Sequence, residues 1–252
     1  MFSSLAVSGG TGLHKGDRDY QQDQVGLWQH PKGKQCLLAL VADGMGGRSG
    51  GRKASDQVLM TAQQLFERFS PDADDPQTLL KQLVEEAHTV IRLTAVSAEQ
   101  EPHSTIAAFL VLPDGTCQWV HSGDSRIYHI RAGRLMHRTQ DDSYVQTLVD
   151  KGLLTPEQAH NHPQSNVLVS CLGTEAAPIP NIHTVPALQA GDTFMACSDG
   201  VWHYFSEREL AQILDNLSPH EACQTLIAQA RQRATGHGDN LSVVVVKLSN
   251  KA

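Results

Sequence analysis

Five aspartates stand where short apolar runs begin or end, and this arrangement constrains the chain more than any other feature. Asp23 precedes Gln24-Val-Gly-Leu-Trp28, and Asp43 ends Cys36-Leu-Leu-Ala-Leu-Val-Ala42 and opens Asp43-Gly-Met-Gly-Gly47. Asp124 lies just beyond Thr116-Cys-Gln-Trp-Val120, and Asp199 just beyond Thr193-Phe-Met-Ala-Cys197. Asp239-Asn240 leads into Leu241-Ser-Val-Val-Val-Val246. Short apolar runs bounded by turn residues read as buried strands. Such strands hold the carboxylates at their ends in fixed positions. Several carboxylates held together cannot all stay ionised without a compensating positive charge, and hard divalent cations with oxygen ligands supply one.

Elsewhere strands alternate with helix pairs. Between Arg52 and Phe69, the residues Ala54, Val58, Ala62, Leu65 and Phe69 recur at helical spacing. Between Pro76 and Ser97, Leu79, Leu80, Leu83, Val84, Ala87, Val90 and Ile91 form a broad apolar stripe. Both patterns predict amphipathic helices. Strands are predicted at 105–112, 116–120 and 126–130, with turns at Pro113-Asp-Gly115 and Arg131-Ala-Gly133, which reads as an antiparallel meander. Residues 141–172 break the pattern. They hold a helical stretch at 144–150, a helix capped by Thr155 and begun by Pro156, and the polar run His160-Asn-His-Pro-Gln-Ser165. The segment reads as a mobile excursion from the sheet. Capping boxes at Ser206-Glu-Arg-Glu209 and Ser218-Pro-His-Glu221 start a second helix pair between the last two strands. This order suggests two sheets with helices outside.

The 252 residues, 40% of them hydrophobic, can bury a sizeable core, and no Ser/Gly/Pro-rich linker divides them. One domain over 1–252 is expected. A net charge of -7 without a long basic run argues against nucleic acid as a partner. The five cysteines lack CxxC spacing, and Cys36, Cys117 and Cys197 sit inside apolar runs, which reads as buried thiols in a reducing cytoplasm. The start, Met1-Phe-Ser-Ser-Leu-Ala-Val-Ser-Gly-Gly10, has no leader pattern. No segment approaches the roughly 20 apolar residues of a membrane span. A soluble cytoplasmic monomer is the expectation.

In order along the chain, the motifs are Arg18-Asp-Tyr-Gln-Gln-Asp23, Val41-Ala-Asp-Gly-Met-Gly-Gly47, Gly123-Asp-Ser-Arg-Ile-Tyr128, Cys197-Ser-Asp-Gly200 and Gly238-Asp-Asn-Leu-Ser242. Together they resemble the PP2C-type metal-dependent protein serine/threonine phosphatases, above all the compact bacterial branch. The resemblance runs from about Arg18 to Val246. It implies an α+β fold: a four-layer α-β-β-α sandwich of two mainly antiparallel sheets flanked by helices, with a binuclear metal centre at one end. It also implies that Asp43 bridges two metals and that the Gly44 carbonyl completes one coordination shell. Asp199 and Asp239 would be the other direct ligands, Asp23 would bind through a water, and Asp124 would help to hold a third, weaker metal. Arg18 matches the arginine that grips the substrate phosphate, where a planar bidentate donor is well suited. Mn2+ or Mg2+ fit an all-oxygen shell better than zinc does. The implied reaction is hydrolysis of phosphoserine and phosphothreonine by a metal-bridging water. The implied partners are phosphorylated proteins, a Ser/Thr protein kinase among them.

Three positions depart from the family pattern. Gln22 replaces a frequent glutamate. Met45 stands where eukaryotic relatives carry a general-acid histidine, and His103-Ser-Thr105 stands in place of Gly-Thr-Thr. None removes a metal ligand. The alternative from another class is a catalytically silent module that binds phosphoproteins, and intact Asp43, Asp199 and Asp239 argue against it. The glycines of 44–51 lack the lysine of a phosphate-binding P-loop. Asp114 reads as a turn residue, His160 and His162 as polar loop residues, and His121 and His137 as ordinary strand or turn residues. Residues 141–172, opening on Asp141 and Asp142, read as a substrate-facing flap, with Ser165 and Asn166 as candidate contacts.

Overall fold

The computed structural model describes residues 5–32, 35–95 and 101–251. It opens with strands β1 (Leu5–His14), β2 (Asp23–Gln29) and β3 (Leu37–Met45), then helices α1 (Gly47–Arg68) and α2 (Pro76–Ala95). Strands β4 (His103–Ser104), β5 (Ile106–Val111), β6 (Cys117–Ser122), β7 (Arg126–Arg131) and β8 (Arg134–Arg138) follow. Helices α3 (Tyr144–Asp150) and α4 (Pro156–His160) precede β9 (Asn181–Val185) and β10 (Asp192–Cys197). The chain closes with α5 (Asp199–Trp202), α6 (Glu207–Asn216), α7 (Pro219–Ala234) and β11 (Leu241–Asn250). One sheet runs β1-β11-β10-β7-β8; the other runs β2-β3-β5-β6-β9, with β4 paired to the end of β3. Every pairing is antiparallel.

Three apolar layers explain why the central strands are apolar on both faces. Side chains alternate across a strand. In β3, Leu38, Leu40 and Ala42 meet Val58, Phe66, Leu80, Leu83 and Ile91 of α1 and α2. From the opposite face, Ala39 and Val41 join Phe109, Phe194, Val244 and Val246 between the sheets. Val243 and Val245 face the other way, onto Leu210, Leu214 and Leu226 of α6 and α7. The α-β-β-α order follows directly from these layers, as expected.

The meander expected from 105 to 130 is not continuous. β5 and β6 pair, but β7 belongs to the other sheet, between β10 and β8. The switch falls at Gly123, whose φ of +105° is open to glycine and strained for other residues. That bend turns Asp124 toward the end of the sandwich. Strands β1, β8 and β9 carry weak alternation and exposed residues, and the sequence pattern did not single them out. Both predicted capping boxes form, at Ser206/Glu209 and Ser218/Glu221, as does the cap of Thr155 on α4. The end of the second predicted helix, residues 96 and 97, lies outside the described residues, as do 1–4 of the chain start. All five cysteines are free and buried. Among the described residues no helix is long and apolar enough to cross a membrane.

Asp192 anchors the far side of the five-stranded sheet. Fully buried, it accepts hydrogen bonds from His129 Nε2 (2.9 Å), Arg131 Nε (2.6 Å) and the Gln189 amide (2.7 Å). Burial works to raise its carboxyl, yet the bonds from His129 and Arg131 hold it at about 2. Asp192→Ala leaves those donors unmatched. The expected loss of unfolding free energy is about 3 kcal/mol, read by urea titration at neutral pH. A loss under about 1 kcal/mol would show that the network adds little beyond an ordinary surface pair.

Candidate metal centre

Strand register brings the first two aspartates together: Asp23 of β2 lies directly opposite Asp43 of β3. Opposite residues of an antiparallel pair point to the same face, with Cβ atoms about 5 Å apart. The Asp43 backbone is fixed on both sides by one residue. Its amide donates to Thr105 Oγ1 (2.9 Å), and its carbonyl accepts from the Thr105 amide (2.8 Å). Thr105 Oγ1 also shares a 2.7 Å hydrogen bond with Ser125 Oγ, next to Asp124.

The other sheet reaches the same place through two serines. Ser198 and Ser242 donate to Asp23 Oδ2 at 2.7 and 2.8 Å. Ser198 precedes Asp199, and Ser242 follows the Asp239-Asn240 pair, so one carboxylate oxygen ties the ends of three strands. Asn240 fastens the loop that bears Arg18. Its Nδ2 donates to the carbonyls of Lys15 (2.8 Å) and Tyr20 (2.9 Å), and its Oδ1 accepts from the Gln22 amide (2.7 Å). Arg18 then reaches Asp239 Oδ2 at 2.5 Å, with its side chain largely in solvent. Gly44 lies so close to α1 that a Cβ would stand 2.0 Å from the Gly51 carbonyl oxygen. Backbone-to-backbone approach of that kind requires glycine.

Asp124 is buried, and its carbonyl accepts from the Trp202 indole at 2.9 Å. The face of that indole carries the Arg126 guanidinium, 3.4 Å from the ring centroid. Arg126 in turn grips Asp141 through two nitrogens at 2.7 and 2.8 Å. Trp202 therefore couples the Asp124 bend, the helix that starts at Asp199, and the root of the 141–172 excursion. That excursion departs from both sheets, returns at Leu172, which pairs with Ser104 of β4, and is held at its neck. The Tyr144 amide donates to the Val167 carbonyl, and the Val169 amide to the Asp142 carbonyl, both at 2.8 Å.

The electrostatics of this end of the sandwich are one-sided. Burial, then repulsion from Asp23, Asp199, Asp124 and Asp239, pushes the Asp43 carboxyl well above the usual range. Asp199 is pushed up in the same way, by burial and then by Asp124, Asp239 and Asp23. Burial lifts Asp23 to about 6 against the two serine hydrogen bonds, and burial with Asp141 lifts Asp124 to about 7. The Oδ1 atoms of Asp23 and Asp199 are buried and have no hydrogen-bond partner among the described residues. Orphaned buried oxygens, mutual repulsion and an all-oxygen donor set fit hard divalent cations.

The five expected aspartates and Gly44 thus gather where the strand ends meet, with Arg18 at the rim. Thr105, Ser125, Ser198, Ser242, Asn240 and Trp202 were not anticipated as positioning residues. Ser198, Asn240 and Ser242 lie inside the quoted motifs, so asking what holds each carboxylate would have found them. Trp202 leaves no such trace. His160 ends α4 rather than lying in a loop, and its ring stacks on His203 with centroids 4.3 Å apart. His160, Ser165 and Asn166 all line a cavity of about 440 Å3 that also borders Asp124, Asp199 and Asp239.

A sequence model of the protein phosphatase 2C family matches residues 12–233, and the chain belongs to that family. It is 36% identical to the serine/threonine protein phosphatase PstP of Mycobacterium tuberculosis over 215 residues, covering 83% of this chain and 40% of the mycobacterial protein. The chain therefore spans less than half of that relative's length. It is also 29% identical to the serine/threonine phosphatase stp of Listeria innocua, covering 91% of each. A crystal structure of the PstP catalytic domain in complex with two manganese ions superposes with a TM-score of 0.83. The identity is 29%, with 98% of this chain and 100% of that one covered.

Proposed function

We propose that this chain is a protein serine/threonine phosphatase, a hydrolase of phosphoserine and phosphothreonine in proteins, working with two Mn2+ or Mg2+ ions and a third held more weakly. The observation that carries the reading is the convergence of five carboxylates, two with orphaned buried oxygens, inside a protein phosphatase 2C fold. Asp43, Asp199 and Asp239 are assigned as the direct carboxylate ligands, with the Gly44 carbonyl beside them. Asp23 is assigned to the outer shell, as the family resemblance implies, with Ser198 and Ser242 holding its Oδ2 and leaving Oδ1 for a metal-bound water. Asp124, on the cavity side, is assigned to the third ion. When bound, such ions activate water and stabilise charge on the transferring phosphoryl group.

The remaining work falls to the protein's own groups. Arg18 stands exposed at the rim with a guanidinium suited to two phosphate oxygens, and its contact with Asp239 keeps it aimed at the centre. Thr105, Ser198 and Ser242 keep the carboxylates from turning away. Residues 141–172 form the flap beside the centre, within one domain over 1–252. The five free, buried thiols suit a reducing cytoplasm. The proposed partners are phosphorylated proteins, including a Ser/Thr protein kinase, approached by a monomeric phosphatase.

The test is release of phosphate from a phosphothreonine peptide with Mn2+, with EDTA, and with Asp199→Asn. Metal-dependent turnover that EDTA and the substitution both abolish is the expected result. Folded protein that binds Mn2+ yet turns nothing over would favour a silent phosphoprotein-binding module.

A further inference from the structure

We propose that Arg18 competes with a divalent cation for Asp239, so that an ion which takes the Asp239 oxygen releases the arginine for phosphate. This deepens the phosphatase reading and rests on it. The loop that bears Arg18 is sewn to the Asp239 turn. The Asp17 amide donates to the Gly238 carbonyl (3.0 Å), and the Gly238 amide donates to Asp17 Oδ2 (2.7 Å). Asn240 Nδ2 donates to the carbonyls of Lys15 and Tyr20. Gly16, at φ +63°, lies so close that a Cβ would stand 1.9 Å from the Asp239 carbonyl oxygen. With the two backbones pinned together, the exchange falls to the Arg18 side chain alone.

Both oxygens of Asp239 are engaged: Oδ1 accepts from the Asn240 amide at 2.7 Å, and Oδ2 accepts from Arg18 Nη2 at 2.5 Å. The other four aspartates of the cluster form no ion pair among the described residues. Asp239 therefore differs from its neighbours in already carrying a guanidinium. A divalent cation and a guanidinium drawn to one carboxylate oxygen repel each other, and each weakens the other's hold by the same factor. The weight of the contact sets the size of that factor. The Arg18 side chain is 62% exposed and that of Asp239 40%, so solvent screens the pair and its loss is worth severalfold in affinity rather than orders of magnitude. Such a contact holds the arginine over the centre and still yields to the stronger bidentate contact that a guanidinium makes with two phosphate oxygens.

The experiment measures Mn2+ affinity by titration calorimetry on the full chain, for wild type, Arg18→Ala, Asp239→Asn and the double variant. The same preparations are assayed for kcat/KM on a phosphothreonine peptide. Arg18→Ala is expected to tighten Mn2+ binding about two- to fivefold while lowering kcat/KM. The opposite signs separate competition from a loosened loop, which would weaken both. In the Asp239→Asn background, Arg18→Ala should leave Mn2+ affinity within about 1.5-fold, as a direct contact between the two residues requires. Unchanged or weaker Mn2+ binding in Arg18→Ala overturns the competition. So does an equal gain in both backgrounds, the result that net charge alone would give. Unchanged kcat/KM in Arg18→Ala overturns the release of the arginine to phosphate. Wild type that binds Mn2+ but turns nothing over fails the phosphatase reading and the release, while calorimetry still decides the competition. Wild type that binds no Mn2+ overturns the metal centre and the competition with it.

Discussion

Asp43→Asn is expected to lower Mn2+-dependent turnover by about a thousandfold or more, and at the same time to make the metal-free protein more stable. The first effect follows from position. Losing a group behind a metal ligand typically costs about 10–100-fold, and Asp43 is assigned as a ligand itself, opposite Asp23 and fixed by Thr105. The second effect follows from charge. Burial and four neighbouring aspartates raise the Asp43 carboxyl well above its ordinary range, so its ionised form works against folding near neutral pH when no cation is present. Asparagine keeps the size and removes the charge. The gain in EDTA should exceed the roughly 0.5 kcal/mol scatter of ordinary surface substitutions, read as a higher Tm. Residual metal-dependent turnover within tenfold of wild type would remove Asp43 from the centre. A variant less stable than wild type in EDTA would show that the carboxylate cluster is not strained. A site that is costly without its ions and needed for turnover is the usual exchange of stability for function.

The positions of the carboxylates were legible in the sequence because strand ends are. Asp43 follows a run apolar at every position, and such a run is a central strand covered on both faces, which puts its end at the rim of a sandwich. The same logic located Asp199 and Asp239. Edge strands were less legible. β8 is Arg-Leu-Met-His-Arg, mostly exposed, and β9 is Asn-Ile-His-Thr-Val, buried only at Val185. β9 pairs with β6, about 60 residues earlier in the chain, and β8 follows β7 through a tight turn but shows no apolar alternation of its own. The sheet switch at Gly123 was misread for a related reason. Consecutive strand-like runs punctuated by turns read as one meander, and only tertiary packing sends β7 to the other sheet. The positioning residues were hidden differently. Thr105 and Trp202 act through hydrogen bonds to backbone atoms of Asp43 and Asp124, contacts that no periodicity predicts.

The second large effect is thermal. With Mn2+ in excess near neutral pH, the Tm should lie about 10 °C or more above its value in EDTA. Occupancy at 100 times Kd contributes about 2.7 kcal/mol per site, two sites contribute about twice that, and a domain of this size gains roughly 2–4 °C per kcal/mol. The pH dependence carries the sharper test, because it should differ in sign with and without the ions. In EDTA, Asp23 titrates at about 6 and Asp124 at about 7 in the folded chain, both raised first by burial. Unfolded aspartates titrate near 3.9, so between about pH 4 and pH 7 the folded state binds more protons and loses stability as pH rises. The metal-free Tm should therefore climb on acidification from about pH 7.5 to about pH 5.5. Carboxylates held low, such as Asp192 at about 2, lose their contribution only below about pH 4, whereas His14, His88, His183 and His203, lowered chiefly by burial, oppose the climb below about pH 6.5. With Mn2+ the carboxylates must be deprotonated to bind, so the increment from the ions shrinks over the same interval. The two Tm curves should converge toward acid. Parallel curves would mean that the buried carboxylates are not what the ions relieve.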